Sequence, residues 1–222
     1  MGAAERGSPR HLARLVGGAI ALMLGGPSMA TAAALAPSSE ADGHALPEGL
    51  VVQRRDRGQP VSASSLNELV RALGSGHART RASYEQAAEL VEAPDGRCPL
   101  ARVEVRLDVE VTLPAWRGEP PPPAVEAAFV RVREALRVHE EGHVAIAIEE
   151  ARRSHAALRA APPFDDCRLA RRALVGEQLR FEQRVRWRNQ RYDDATDFGA
   201  RQGAVIERVR LAPRRPAAVD PR

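Results

Sequence analysis

The sequence has no lysine: all 33 of its basic residues are arginine. That absence excludes Schiff-base chemistry, a Ser-Lys dyad and a phosphate-binding loop that relies on Lys. Aromatic residues make up only 4% of the chain. A core must therefore be built from Leu, Val, Ile and Ala, and a base-stacking surface for nucleic acid has little to draw on. The 29 acidic residues are interleaved with the arginines and leave a net charge of +4. The high pI of 9.9 thus carries no strong field of one sign. No apolar run reaches the roughly 18 residues that a membrane span requires. There are two cysteines, Cys98 and Cys167, and no C-x-x-C. What remains is a chain of 222 residues, 44% hydrophobic, which suits one domain with tails.

The first residues read as an address. Arg6, Arg10 and Arg14 precede Leu15 to Leu24, a short apolar run broken by Gly25, Gly26 and Pro27. Ala30-Thr31-Ala32 then offers the small residues that a signal peptidase reads. Residues 1–32 are expected to be a signal peptide, 33–47 a flexible leader, 48–210 the folded domain and 211–222 a disordered tail. No Cys follows the apolar run, so a lipoprotein is not expected. The mature chain is expected in the periplasm or outside the cell, with no integral membrane segment. In such an oxidising compartment an isolated cysteine pair most simply forms one disulfide, Cys98 to Cys167.

Along the domain, Ser64 or Ser65 caps a short helix through Leu66, Leu69 and Leu73. Residues 74–97 are polar and Arg-rich. From Ala101 to Leu113 apolar residues alternate with Arg, Glu, Asp and Thr, which predicts a long half-buried strand ended by Pro114. Its edge is a place where an extended peptide could pair. Ala124 to about Ala161 reads as one long helix, and a second runs from Asp166 to about Arg191, with a loop from Tyr192 to Gly203. The fold class expected is α+β: a small antiparallel sheet, then the long helix and a second helix antiparallel to it.

The chemistry sits in the long helix. Residues 139–143 read His-Glu-Glu-Gly-His, an H-E-x-x-H pattern. Two His at i and i+4 lie about 40° apart and one turn up, so both imidazoles reach one metal ion. Glu140, beside the first, is placed as a general base. Both histidines fall on the apolar stripe Phe129, Val132, Leu136, Ile146, where a polar group needs a partner. Two core histidines bonded to carboxylates would also fit the pattern; export and the adjacent Glu weigh toward metal. Gly142 inside the helix implies that something needs the space beside His143. A metzincin ligand at 149 is excluded, because that residue is Glu149. His155 lies about 120° round the helix from His143 and cannot join. His44 and His77 read as surface residues, and Glu150 is too far along the axis. Glu177 on the second helix can complete a His-His-Glu set. The loop acids Asp193, Asp194 and Asp197 are weaker candidates, and Tyr192 is a candidate oxyanion donor.

The order of features resembles a known family. A Cys precedes a strand that ends Leu113-Pro114-x-Trp116; H-E-x-G-H and a second Cys follow. Then comes Tyr192, Asp193, Thr196, Gly199, Gln202, Gly203, Ala204. This resembles the bacterial domain of unknown function 922 family, described as predicted secreted zinc-dependent proteases, over residues 50–206. The resemblance implies a zincin-like fold, zinc at His139 and His143, Glu140 as general base, and the Cys98–Cys167 bridge. The family pattern has His immediately before this glycine, whereas this chain has Phe198. The third ligand must then be Asp197 or Glu177, or the site is degenerate. The reading that follows is an exported zinc metallopeptidase acting on protein or peptide, with no nucleic-acid partner. The alternative is a non-catalytic periplasmic binding or scaffold protein.

Overall fold

A computed structural model of the chain describes residues 11–16, 46–74 and 78–206. The expected cleavage point, most of the leader, His44, His77 and the tail lie outside them. The strands are β1 (His11–Val16), β2 (Leu50–Val61), β3 (Arg79–Leu90) and β4 (Leu100–Trp116). The helices are α1 (Leu66–Ala72), α2 (Pro123–Arg159) and α3 (Cys167–Thr196), and a short 3-10 turn spans Ala200–Gln202.

The sheet has the order β1-β3-β4-β2 and is mixed, which corrects the antiparallel expectation. β3 and β4 follow one another through a short connection and pair antiparallel. The segment through α1 carries the chain across to the far side of β4, so β2 is left to pair with β4 in parallel. β1 lies antiparallel on the Glu85–Leu90 half of β3 and comes from the segment read as signal peptide. From Val105 to Thr112 β4 is therefore an interior strand, paired on both sides, and that stretch has no edge to offer a peptide. β4 also runs past Pro114 to Trp116. Beyond Thr112 only β2 still pairs with it, and a residue without N–H is tolerated there.

Val103, Val105, Leu107, Val109 and Val111 alternate into the core, as period two requires. They meet Val144, Ala147 and Ala151 of α2 and Leu174, Phe181 and Val185 of α3. Tyr84 of β3 stacks on Phe181 with ring centroids 4.0 Å apart. β3 itself was not legible in the Arg-rich stretch 74–97, because its inward residues are Tyr84, Gln86, Ala88 and Leu90 and only the last is strongly apolar. A second apolar cluster joins Leu69 of α1, Val61, Val125 and Phe129.

The helix ends are set by local chemistry. Ser65 accepts from the N–H of Glu68 at the start of α1, and Asp166 accepts from Leu169 N–H at 2.7 Å at the start of α3. Pro at the first position opens α2. Cys98 and Cys167 are disulfide-bonded across a separation of 69 residues. On the loop-entropy account the bridge adds roughly 4 kcal/mol of stability. It ties the lead-in to β4 to the first turn of α3. No helix among the described residues is long and apolar enough to cross a membrane.

Candidate metal centre

α3 does not stop at Arg191. It continues to Thr196, since no Gly or Pro interrupts it before Gly199. Residues expected in a loop are thus carried on the helix's last turns, packed against the middle of α2. Asp193 is brought to both histidines. Its Oδ1 lies 3.2 Å from His139 Nε2 and 3.0 Å from His143 Nε2. The two Nε2 atoms are 3.2 Å apart. His139, His143 and Asp193 form a cluster that can hold a metal ion.

The proton positions explain why a cation fits there. The Gln202 side chain gives its NH2 to Tyr192 Oη at 3.0 Å. Its oxygen therefore faces His139 Nδ1 at 3.1 Å and accepts from it. Asn189 Oδ1 accepts from His143 Nδ1 at 3.0 Å. With both Nδ1 atoms protonated, both Nε2 atoms present lone pairs. In the neutral imidazoles two lone pairs and a carboxylate oxygen then converge at 3.0–3.2 Å from one another. A tetrahedral ion with bonds of 2.0–2.1 Å separates its ligands by about 3.3 Å, close to the triangle found. Such fixing of the imidazole tautomer by a further hydrogen bond is the usual support of a metal-binding His.

Neither residue expected as the third ligand is there. Glu177 is buried against Arg180 and Arg184, both at 2.8 Å, and accepts from Ser154 Oγ. Those bonds outweigh its burial and hold its pKa below the usual carboxylate value. Asp197 caps α3 with a left-handed backbone and an exposed side chain. His155 is buried on α2, away from the cluster, and packs close to Gly49. Glu150 is bound by Arg184 and Arg188.

Two neighbours flank the histidines. Glu140 is buried, and its carboxylate accepts from Thr80 Oγ1 at 2.8 Å. Burial raises its pKa, opposed by Thr80 and the two histidines. On the other flank, the Tyr192 ring stacks on His139 and meets His143 edge-on, each at 5.1 Å. A Cβ at Gly142 would sit 2.2 Å from the Tyr192 hydroxyl. The glycine is therefore the space that this ring occupies. On a helix, Glu140 and Gly142 lie about 80° to either side of the histidine pair, so the acid and the phenol face the site from opposite sides.

Asn189, Thr196, Gln202 and Thr80 were not identified as site residues from sequence. The signal for two of them is the α3 stripe itself, which continues from Leu174, Glu177, Phe181 and Val185 through Asn189, Tyr192 and Thr196 at spacings of three and four. Thr80 left no such trace.

If Asp193 is the third ligand, Asp193→Ala should weaken zinc binding by more than about a hundredfold, beyond what loss of a supporting hydrogen bond produces. Asp197→Asn and Glu177→Gln should leave it unchanged. Competition against a chromophoric chelator measures all three; equal losses from Asp193→Ala and Asp197→Asn would refute the assignment.

No curated protein and no solved structure matches the chain. The family described as Bacterial protein of unknown function (DUF922) matches over residues 58–199, a stretch that carries both histidines, Glu140, Asp193 and both cysteines. The chain belongs to that family.

Proposed function

We propose that the protein is an exported zinc-dependent peptidase with a zincin-like site. The observation that carries this reading is the convergence of three electron-pair donors beside a buried carboxylate. His139, His143 and Asp193 would hold the zinc through Nε2, Nε2 and Oδ1. When bound, zinc supplies Lewis-acid chemistry, acidifying a water and polarising a carbonyl. Glu140 takes the proton of the attacking water on its carboxylate and passes it to the leaving amine. Thr80 keeps that carboxylate turned toward the site. Tyr192 accepts from Gln202, so its own proton remains to donate to the developing oxyanion.

Peptide as substrate is supported by the sheet edge. The Arg79–Tyr84 half of β3 has no outer strand among the described residues, and it carries Thr80 beside Glu140. An extended peptide pairing there lies next to the base. Export is supported by the leader-like start of the chain and by the disulfide. The reading of a degenerate binding protein rested on a missing third ligand, and Asp193 supplies a third donor.

The test is to load the protein with one zinc per chain and incubate it with unfolded protein and a mixed peptide library. Mass spectrometry should find defined cleavages that a chelator abolishes and added zinc restores. Stoichiometric zinc without any cleavage would overturn the peptidase reading in favour of a binding protein.

A further inference from the structure

The turn that closes α3 is a helix C-cap in which the N–H groups of Asp197 and Phe198 both donate to the Asp193 carbonyl. Asp197 and Phe198 both have left-handed backbone, φ 52 and 49, ahead of Gly199 at φ 84. Asp tolerates that region; a bulky aromatic is a poor occupant. Phe198 is also 70% exposed, more than any other large hydrophobic residue described. An Asn at this position would avoid both costs.

The turn is fastened directly to the metal centre. Phe198 N–H donates to the carbonyl of Asp193 at 2.9 Å. Gly199 N–H donates to Thr196 Oγ1, which also meets His139 Nδ1 at 3.3 Å. A Cβ on Gly199 would come within 3.2 Å of the His139 ring. The backbone on either side of Phe198 is thus tied to the main chain of Asp193 and, through Thr196, to His139, and the phenyl ring is exposed to solvent. Strained residues persist where their surroundings over-determine them, and they gather at sites that bind ligands.

We propose that Phe198 is a specificity-determining residue: its ring receives an apolar side chain of the bound peptide next to the metal centre. This rests on the peptidase reading for the identity of the ligand. The contact would bury a ring that is otherwise wet, and it gives the strained turn a use that an Asn could not serve.

The test uses two chelating probes on the zinc-loaded full chain. Acetohydroxamate offers only the metal-binding group; 3-phenylpropionohydroxamate adds a phenyl ring. Calorimetry should show the second binding at least about tenfold more tightly. Phe198→Ala should erase that preference and leave zinc stoichiometry and acetohydroxamate affinity unchanged. Phe198→Asn should erase it too and raise the melting temperature, since Asn accepts the left-handed backbone. A preference absent from the wild type, or surviving in Phe198→Ala, would overturn the inference. A phenyl preference that depends on Phe198, in a protein that cleaves no peptide, would support the contact and overturn only the peptidase reading. A chain that takes up no zinc would overturn both.

Discussion

Glu140→Gln should lower peptide turnover by about 10²–10⁴ or more while the protein still carries one zinc per chain. The two carboxamide and carboxylate side chains have the same shape, and Gln can still accept from Thr80 Oγ1, which lies 2.8 Å from the carboxylate. What is lost is the capacity to take a proton. The three ligand atoms come from residues 139, 143 and 193, so removing the charge at 140 leaves the donor set intact. Stability should hold or rise, because the carboxylate is buried and burial disfavours its charge. Thr80→Val is the companion variant. It removes the hydroxyl that bonds the carboxylate and also lies 3.3 Å from the Glu140 carbonyl oxygen, and it leaves the carboxylate itself in place, so its loss of turnover should be smaller. Metal content by plasma mass spectrometry and single-turnover assays separate binding from chemistry. Turnover retained in Glu140→Gln would remove this residue from the mechanism and shift the search for a base to Asp193 or a water relay.

What could be read from the sequence follows from how locally each feature is specified. H-E-x-G-H, the long helix and the strand at 101–113 are encoded in contiguous patterns, and all three are present. The cysteine pair was readable because only one pairing exists, and it forms. Gly142 signalled a neighbour without naming it; the neighbour is Tyr192, fifty residues on. The third donor was misplaced for a definite reason. Treating Tyr192 to Gly203 as loop made Asp193, Asp194 and Asp197 equivalent acids. On a helix they are not: Asp193 falls four residues after Asn189, on the face that already holds His143 by its Nδ1. Extending the helix to the first glycine would have singled it out. Glu177 misled because a buried acid facing α2 satisfies the same pattern whether its partner is a metal or an arginine. The direction of β2 and the existence of β3 depend on pairing between distant segments, which no local periodicity encodes.

The arginine that claims Glu177 carries a large expected effect on stability. Arg184 donates to two buried carboxylates, Glu150 at 2.6 Å and Glu177 at 2.8 Å, and so links α2 to α3. Glu150 has no exposed side-chain surface, and Glu177 has almost none. Removing one partner of a buried pair leaves uncompensated charge, which costs about 3–5 kcal/mol. Arg188 remains on Glu150, and Arg180 and Ser154 remain on Glu177. Arg184→Met should therefore fall near the lower end, about 3 kcal/mol at pH 7. The pH dependence has a definite sign. Glu177 is held below its unfolded pKa of 4.5 by Arg184, Arg180 and Ser154 acting against burial. Its pairing thus adds stability above that value and loses it as pH falls through the lower, folded value. In Arg184→Met burial has less to oppose it, so the Glu177 pKa rises and the acid can protonate without unfolding. The difference between wild type and variant should be largest at neutral pH and should narrow below pH 4.5. Denaturant unfolding at pH 7 and pH 4 measures both. The same substitution made together with Glu150→Gln and Glu177→Gln should recover much of the loss, since no buried charge is then left unpaired. Lost packing of the arginine stem predicts the opposite, an equal loss at both pH values and no recovery. That pattern would show that the network contributes by contact rather than by charge.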